Sequence, residues 1–120
     1  MATTDRSCSI SPYFQIAPGK LPDFKQLCER FVARTQSEPG CLYYGFCFDG
    51  DIVHCRESYA DAAGLLAHLE NVGDLLQEGL KISQLVRLEV AGPEEELAKL
   101  RGPLGALNPK FLVLEYGFRR

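Results

Sequence analysis

Two runs with the alternating composition of β-strands form the clearest pattern in the chain, Cys41–Phe48 and Asp51–Tyr59. Both are rich in aromatic and β-branched residues, and only Asp49-Gly50 separates them. Asp-Gly between two such runs is a strong hairpin signal, because the tight turn needs positive φ at both central residues. The pattern therefore predicts a β-hairpin with Asp49 and Gly50 as its two loop residues.

This turn predicts the register of the hairpin, and with it the side chains that share a face. Counting back from the loop places His54 opposite Gly45 and Arg56 opposite Tyr43. Successive side chains of a strand point to opposite sides. One face is mostly apolar and is expected to lie against helices: Leu42, Tyr44, Phe46, Val53, Cys55, Glu57 and Tyr59. The other face is mixed and polar, which suggests a pocket: Cys41, Tyr43, Gly45, Cys47, His54, Arg56 and Ser58.

Apolar periodicity predicts further elements on both sides of the hairpin. Cys8–Ile16 alternates as a strand, and Pro12 inside it indicates an edge position or a bulge. An apolar stripe over residues 21–32 predicts a helix, and Asp61 is a suitable N-cap for the next one. The remaining predictions are a helical continuation over Leu75–Ile82, a strand over Leu85–Val90 with Val86, Leu88 and Val90 inward, a short helix from Pro93 and a final strand over Lys110–Phe118.

This order of elements predicts an α+β fold, the ferredoxin-like βαββαβ arrangement with an extra C-terminal helix and strand. The helices of that fold cover one face of a four-stranded antiparallel sheet and leave the other face bare. The bare face would carry Tyr13, Tyr43, Cys47, Ile52, His54, Arg56 and Arg87. Monomers rarely leave such a patch in water, so we expect a homodimer packed sheet to sheet. The final strand could extend its own sheet or cross to the partner.

Composition limits the remaining possibilities. Residues 1–120 fit one domain, and a net charge of −3 without any basic run argues against nucleic acid as a partner. No apolar stretch is long enough to span a bilayer, and the N-terminus lacks the apolar region of a signal peptide. We therefore expect a cytoplasmic protein without membrane contact. Five cysteines without a Cys-x-x-Cys motif, and only two histidines, predict reduced thiols and no metal site.

Three motifs resemble the antibiotic-biosynthesis-monooxygenase domain of the dimeric α/β-barrel superfamily: EPGCLYYGF at 38–46, ESY at 57–59 and DAAGLLAHLENV at 61–72. The resemblance covers roughly residues 8–92 and leaves 93–120 as an extension. It implies a dimeric α/β barrel. The activities it implies range from cofactor-free oxygenation of quinols and polyketide phenols to haem degradation, and some members have none. The haem-degrading branch relies on a tryptophan and on a histidine that would fall within 71–83. This chain has neither, so a reaction without cofactors is favoured.

The bare face carries the first set of candidate site residues. Oxygenation of a phenol or quinol without a cofactor needs a base to form the anion and fixed positive charge to hold it. A histidine titrates in the right range, and an arginine stays charged. We therefore predict His54, Arg56 and Tyr43 as catalytic residues, with Tyr13, Ser11, Cys47 and Arg87 binding the substrate. In the alternative, Arg56 pairs with Glu89 and His54 only fills the remaining space.

Glu57 and His68 form a second candidate pair, on the helix-covered face. A buried carboxylate is costly without a donor, and His68 lies at the border of the apolar stripe of its predicted helix. We predict a structural pair, a hydrogen bond that ties this helix to the sheet. The alternative is a catalytic base oriented by a carboxylate.

Two hypotheses of function follow from these features. In the first, the protein is a cofactor-independent monooxygenase acting on an aromatic or quinol-like small molecule in the barrel interior. In the second, it is a non-catalytic dimeric barrel that binds a small molecule or serves as a scaffold. An open pocket with converging polar groups favours the first, and an interior filled by side chains and Arg–Glu pairs favours the second.

Overall fold

Five strands and four helices make up the part of the chain that the structure, a computed structural model, describes, namely residues 3–120. The strands are β1 (Cys8–Ile16), β2 (Cys41–Asp49), β3 (Ile52–Tyr59), β4 (Ser83–Gly92) and β5 (Lys110–Val113). The helices are α1 (Leu21–Thr35), α2 (Ala62–Asn71), α3 (Gly73–Leu80) and α4 (Glu94–Leu100), and a 3₁₀ turn follows at Gly105–Leu107. None of the helices within residues 3–120 is both long and apolar enough to cross a membrane.

The strands form one mixed sheet in the order β2-β3-β1-β4-β5. The first four pair antiparallel in the ferredoxin-like arrangement, which confirms the predicted α+β fold, and the sheet of this single chain is open rather than a closed barrel. β5 pairs parallel to β4 and so extends its own sheet. β5 is shorter than predicted, and its pairing with β4 ends at Val113, opposite Gly92. The residue after Gly92 is Pro93, which has no N–H to continue the pairing and leads into α4.

The hairpin turn lies one residue later than predicted. Asp49 pairs with Ile52, so Gly50 and Asp51 are the loop residues, and Gly50 alone of the two has positive φ, 57°. Glycine with positive φ at the first central position is the type II′ pattern. His54 therefore faces Cys47 instead of Gly45, a shift of two positions along β2. An even shift preserves the side on which every side chain lies, so the two predicted faces are retained up to the start of β2.

Two bulges change the faces locally. In β2, Cys41 pairs with Tyr59 but Tyr43 pairs with Ser58, which leaves Leu42 as the extra residue. Leu42 is exposed and Cys41 packs against the core, the reverse of the prediction. The second irregularity lies where β1 pairs with β4, between Tyr13 and Phe14. It turns Val86 outward, where the side chain is 53% exposed, and Leu85 takes the inward position instead.

β1 lies in the middle of the sheet, so the proline inside it does not mark an edge. The strand pairing between β1 and β3 is interrupted at Ser11 and Pro12, between the residue pairs Ile10–Glu57 and Tyr13–His54. Proline has no N–H to donate, and a gap in the ladder removes the need for one. A break beside Pro12 thus accounts for its position in a central strand.

The helices cover one face of the sheet, and the C-terminal extension caps one of them. Asp61 is the N-cap of α2, as predicted, and its side chain accepts from the Gly64 N–H. The N–H of Ala62 donates to Oε1 of Glu96, 2.9 Å away. Glu96 on α4 is therefore buried at the start of α2, although the Glu94–Glu96 run has the composition of a solvated helix start. The favourable interaction of a carboxylate with a helix N-terminus accounts for this placement.

Candidate active site

Polar side chains gather on the two opposite faces of β3, in two clusters that differ in exposure. The open-face cluster lies on the bare side of the sheet and consists of Tyr13, Tyr43, His54, Arg56 and Arg87. The inner cluster lies between the sheet and the helices and consists of Glu38, Glu57, Tyr59, His68 and Asn71.

In the open-face cluster, His54 is held by its neighbours on β1. Its ring stacks on Tyr13 at 4.2 Å between centroids and 19° between planes. Its Nδ1 lies 3.1 Å from the carbonyl oxygen of Pro12. A carbonyl only accepts, so Nδ1 carries the proton of this hydrogen bond and Nε2 is the acceptor of the neutral ring.

The two arginines of this face stack on tyrosines. Cζ of Arg56 lies 4.4 Å from the centre of the Tyr43 ring, and Cζ of Arg87 lies 5.0 Å from that of Tyr13. Arg87 also donates to Glu89 at 3.0 Å, so the alternative pairing of Arg56 with Glu89 does not occur within this chain. The predicted trio is thus divided: Arg56 and Tyr43 form one contact, and His54 contacts Tyr13.

The predicted substrate-binding residues of the open face lie in two adjacent rows across the sheet. Cys47, His54, Tyr13 and Arg87 are successive cross-strand partners in one row. Ser11 faces Glu89 in the next row. Cys47 and Arg87 are exposed, and Ser11 and Tyr13 are half-buried. This single chain thus presents the predicted open-face residues as a surface.

The inner cluster is built around Glu57, which β3 places on its helix-covered side. The Tyr59 hydroxyl donates to Oε1 of Glu57 at 2.6 Å. Nε2 of His68, from α2, lies 3.4 Å from the same oxygen. Both Glu57 and His68 are buried. The structure therefore brings this predicted pair together, although at a distance that is long for a hydrogen bond.

Glu38, in the turn before β2, is the carboxylate of the inner cluster that the residue-level reasoning did not assign to a site. Its carboxylate accepts from Nδ1 of His68, at 2.9 and 3.1 Å from the two oxygens, and from Nδ2 of Asn71 at 2.8 Å. This contact assigns the proton of neutral His68 to Nδ1 and turns the Nε2 lone pair toward Glu57. The sequence signal that could have identified Glu38 as a site residue was its place in the family motif, 30 residues before His68.

Burial sets the protonation of the inner pair. It raises the pKa of Glu57 from 4.5 to about 7, with the charge of Glu38 adding to the rise and hydrogen bonds from Tyr59 and Cys55 opposing it. Burial lowers the pKa of His68 below its usual 6.5, against the opposing effect of Glu38. Glu57 is therefore a carboxyl group that exchanges a proton near pH 7, next to an imidazole that is neutral there.

A cavity of about 70 Å³ adjoins this pair, between the sheet and helices α1–α3. Tyr44, Cys55, Glu57 and His68 are among its lining residues. The walls are almost entirely apolar and come from both layers, for example Ile10, Phe14 and Leu88 from the sheet and Phe24, Phe31 and Leu76 from the helices. The cavity thus adjoins the pair predicted to be structural and lies on the face opposite the one that was expected to enclose the substrate.

The inner groups can take part in acid–base chemistry. Within residues 3–120, no three His, Cys, Asp or Glu side chains cluster as metal ligands would. A carboxyl group in an apolar cavity with a pKa near 7 can both donate and accept a proton at neutral pH. The sequence analysis paired Glu57 with His68. It did not predict the cavity, because the cavity arises from the packing of α1, α2 and α3 over the sheet.

Comparisons with solved structures identify relatives of the whole chain. MupZ from Pseudomonas fluorescens is 51% identical, with a TM-score of 0.91, over 96% of this chain and 95% of that one. Two other structures share the fold at low identity and cover 72% of this chain. They are Rv0793 from Mycobacterium tuberculosis, 18% identical over 94% of its length with a TM-score of 0.65, and a putative antibiotic biosynthesis monooxygenase from Chloroflexus aurantiacus J-10-fl, 20% identical over 92% of its length with a TM-score of 0.61.

A family comparison agrees with the resemblance seen in the motifs. No curated protein matches the chain. The family model for antibiotic biosynthesis monooxygenases, however, matches residues 10–73, which include Glu38, Glu57 and His68 and make up more than half of the chain. The chain belongs to the antibiotic biosynthesis monooxygenase family.

Proposed function

We propose that this protein is a cofactor-independent monooxygenase acting on a small aromatic or quinol-like molecule, and that its reaction site is the cavity beside the inner cluster. The observation that carries the proposal is a buried carboxyl group, Glu57, with a pKa near 7 in the lining of an apolar cavity. Family membership supports the reaction class. The open-face residues His54, Arg56 and Tyr43 are then left for assembly rather than chemistry.

The proposed chemistry begins with proton transfer to ionised Glu57. The substrate, a phenol, quinol or related compound with an acidic C–H or O–H, becomes an electron-rich anion that reacts with molecular oxygen at carbon. The resulting hydroperoxide loses water and leaves a carbonyl group, so a CH₂ and O₂ become C=O and H₂O. The substrate supplies all four electrons. Protonated Glu57 returns its proton as the O–O bond breaks, and a pKa near 7 suits both steps.

His68 and Glu38 support this cycle in separate ways. Nε2 of neutral His68 faces Glu57 at 3.4 Å and can take up the proton while the substrate is still an anion. Glu38 holds His68 in the tautomer with Nδ1 protonated, which leaves that lone pair in place. The Tyr59 hydroxyl binds the same oxygen of Glu57 and stabilises its ionised form. Glu57 is the proposed base, and Glu38 is a positioning residue.

Oxygen uptake by purified protein, freed of metal and flavin, tests this proposal with a panel of phenols, naphthols and quinols. Glu57→Gln keeps the size of the side chain but cannot accept the proton, and we expect it to lower the rate by about 10²–10⁴-fold. His54→Ala is the matched open-face control and should change the rate little. The wild-type rate should rise with pH through about 7, because only ionised Glu57 is a base.

Two outcomes would contradict the proposal in different ways. A large loss with His54→Ala and none with Glu57→Gln would move the chemistry to the open face. No oxygen uptake with any substrate would leave a non-catalytic protein of this family.

One observation favours that second candidate function, a small-molecule binder or scaffold without catalysis. The cavity of about 70 Å³ is roughly half the size of the ~150 Å³ cavity that admits benzene in another protein. Every carboxylate and imidazole of the inner cluster also has a protein partner within it. In that case the cluster ties α2 to the sheet. Absence of both 2-naphthol binding and oxygen uptake would support a scaffold without a small-molecule site.

We also propose that two copies pack sheet to sheet and that the protein is cytoplasmic. The open face carries Tyr13, Tyr43 and Ile52 beside its charged groups, a patch that a second copy would cover. The location is supported by the cysteines, all five of which lie within residues 3–120 and are free thiols.

A further inference from the structure

Two leucines are the exposed residues in the lining of the cavity beside the inner cluster. Leu80 ends α3 and Leu107 lies in the 3₁₀ turn, and both line the cavity. They are 37% and 39% exposed, whereas every other lining residue is buried or half-buried. The lining is thus most exposed to solvent at Leu80 and Leu107. We refer to these two residues as the mouth.

Leu107 is fixed at the mouth by anchors on both sides. Before it, Leu104 is buried in the core and accepts a hydrogen bond from the Leu107 N–H at 3.0 Å. After it, Lys110–Val113 pair with β4. The side chain itself is more than a third exposed, so replacing it leaves the core intact. The chain thus presents one exchangeable apolar side chain at a fixed place.

The segment that carries Leu107 lies beyond the residues that the family model matches. The family model ends at residue 73, and two structures at 18–20% identity each leave more than a quarter of this chain without a counterpart. MupZ, in contrast, matches 96% of the chain. Part of the cavity lining therefore comes from residues outside the matched family model.

We propose that Leu107 is a specificity-determining residue, which together with Leu80 limits the size of the aromatic molecules that reach the inner cluster. The inference rests on the proposed function, because it takes the cavity as the substrate site. Apolar groups at the wall of a pocket select substrates by size, and one such group changes selectivity by roughly 10- to 200-fold. The extension then adjusts substrate choice while the family fold retains the acid–base groups.

Binding of one-ring and two-ring probes, phenol and 2-naphthol, tests this role by titration calorimetry. Leu107→Ala should widen the mouth and shift the ratio of affinities toward 2-naphthol by about tenfold, and Leu107→Trp should shift it toward phenol by a similar factor. Leu112 is the matched control, an exposed leucine of the same extension that does not line the cavity. Leu112→Ala and Leu112→Trp should leave the ratio unchanged.

The absence of native tryptophan adds a readout of location. Leu107→Trp and Leu112→Trp each place a single indole in the chain. A quenching ligand such as 4-nitrophenol should quench the fluorescence of the first variant saturably and that of the second only by collision. Near-identical circular dichroism of the four variants would show that they share the native fold.

Three results would overturn the inference. They are an affinity ratio within twofold of wild type in both Leu107 variants, an equal shift in the Leu112 variants, or no binding of either probe to wild type and Leu107→Ala. Oxygen uptake separates this inference from the proposed function. Size-selective binding through Leu107 without any turnover would reject the monooxygenase function and support the role of Leu107. Turnover that depends on Glu57 but does not change in the Leu107 variants would support the monooxygenase function and reject the role of Leu107.

Discussion

Both faces of β3 carry charged or titratable side chains, but those on one face are open to solvent and those on the other are buried. On the open face, Arg56 stacks on Tyr43 and His54 stacks on Tyr13, at a surface where solvent screens the charge of the arginine. On the inner face, one residue along the strand from Arg56, Glu57 is buried with its pKa raised to about 7. The difference comes from the helices, which cover one side only. Strand alternation sorts the residues, and burial decides which of them acquire unusual chemistry.

Replacing Ile52 on the open face by aspartate should have the largest effect on assembly. If two sheets pack together there, Ile52→Asp buries a charge without a partner, which costs about 3–5 kcal/mol and separates the copies. Light scattering at micromolar concentration should give the mass of two chains for wild type and of one chain for the variant. Ala63→Asp, on the exposed side of α2, is the control and should remain dimeric. A one-chain mass for wild type would show that the open face needs no partner.

The inner cluster should show strong coupling between its two members. Glu57→Ala and His68→Ala should each lower the free energy of unfolding by about 1–3 kcal/mol, since each strands a buried polar group. The double variant should lose less than the sum of the two. Denaturant titrations measure all three values. Additive losses would mean that the 3.4 Å approach of the two side chains carries no energy.

The pH dependence of stability should also come from the inner face. The folded protein holds the proton of Glu57 with a pKa near 7 instead of 4.5, so the stability given by protonated Glu57 is lost as the pH rises through 7. His68 acts in the opposite sense, but its lowered pKa confines that effect to pH values below about 6.5. The free energy of unfolding should therefore fall by about 1 kcal/mol between pH 6.5 and 8. Glu57→Gln should abolish this fall, and His54→Ala should retain it.

The smallest effect should come from the open-face contact between Arg56 and Tyr43. Exposed cation–π pairs contribute about 0.5–1 kcal/mol. In a monomeric Ile52→Asp background, the coupling between Arg56→Ala and Tyr43→Ala should therefore stay below about 1 kcal/mol. A denaturant double-mutant cycle provides the value. Coupling as strong as that of Glu57 with His68 would remove the contrast between the two faces.

Local sequence patterns were sufficient for the elements of this fold, but not for their exact registers. The predicted strand faces hold because alternation is a local property, and Asp61 was recognisable as an N-cap from its position alone. The bulges at Leu42 and Val86 were missed, since a bulge depends on the strand opposite. The turn was misplaced because Asp-Gly and Gly-Asp are both acceptable two-residue loops, and Asp49-Gly50-Asp51 contains each of them.

The candidate site was harder to predict because its parts are distant in sequence. Glu57 and His68 could be paired from the hairpin faces and the helix stripe. The contact of Glu38 with His68, by contrast, depends on the path of the turn before β2. The cavity depends on how the side chains of α1, α2 and α3 meet over the sheet, which periodicity does not determine. Strand alternation by itself therefore favours the polar open face, whose charged residues it identifies directly.

The buried carboxylate of Glu96 makes the C-terminal extension more than an optional addition. It accepts from Ala62 at the first turn of α2, the helix that carries His68. The extension thus gives the start of α2 a second contact, in addition to its own N-cap Asp61. Removing residues 93–120 would leave the Ala62 N–H without its acceptor. The placement of His68 therefore depends in part on a segment outside the matched family model.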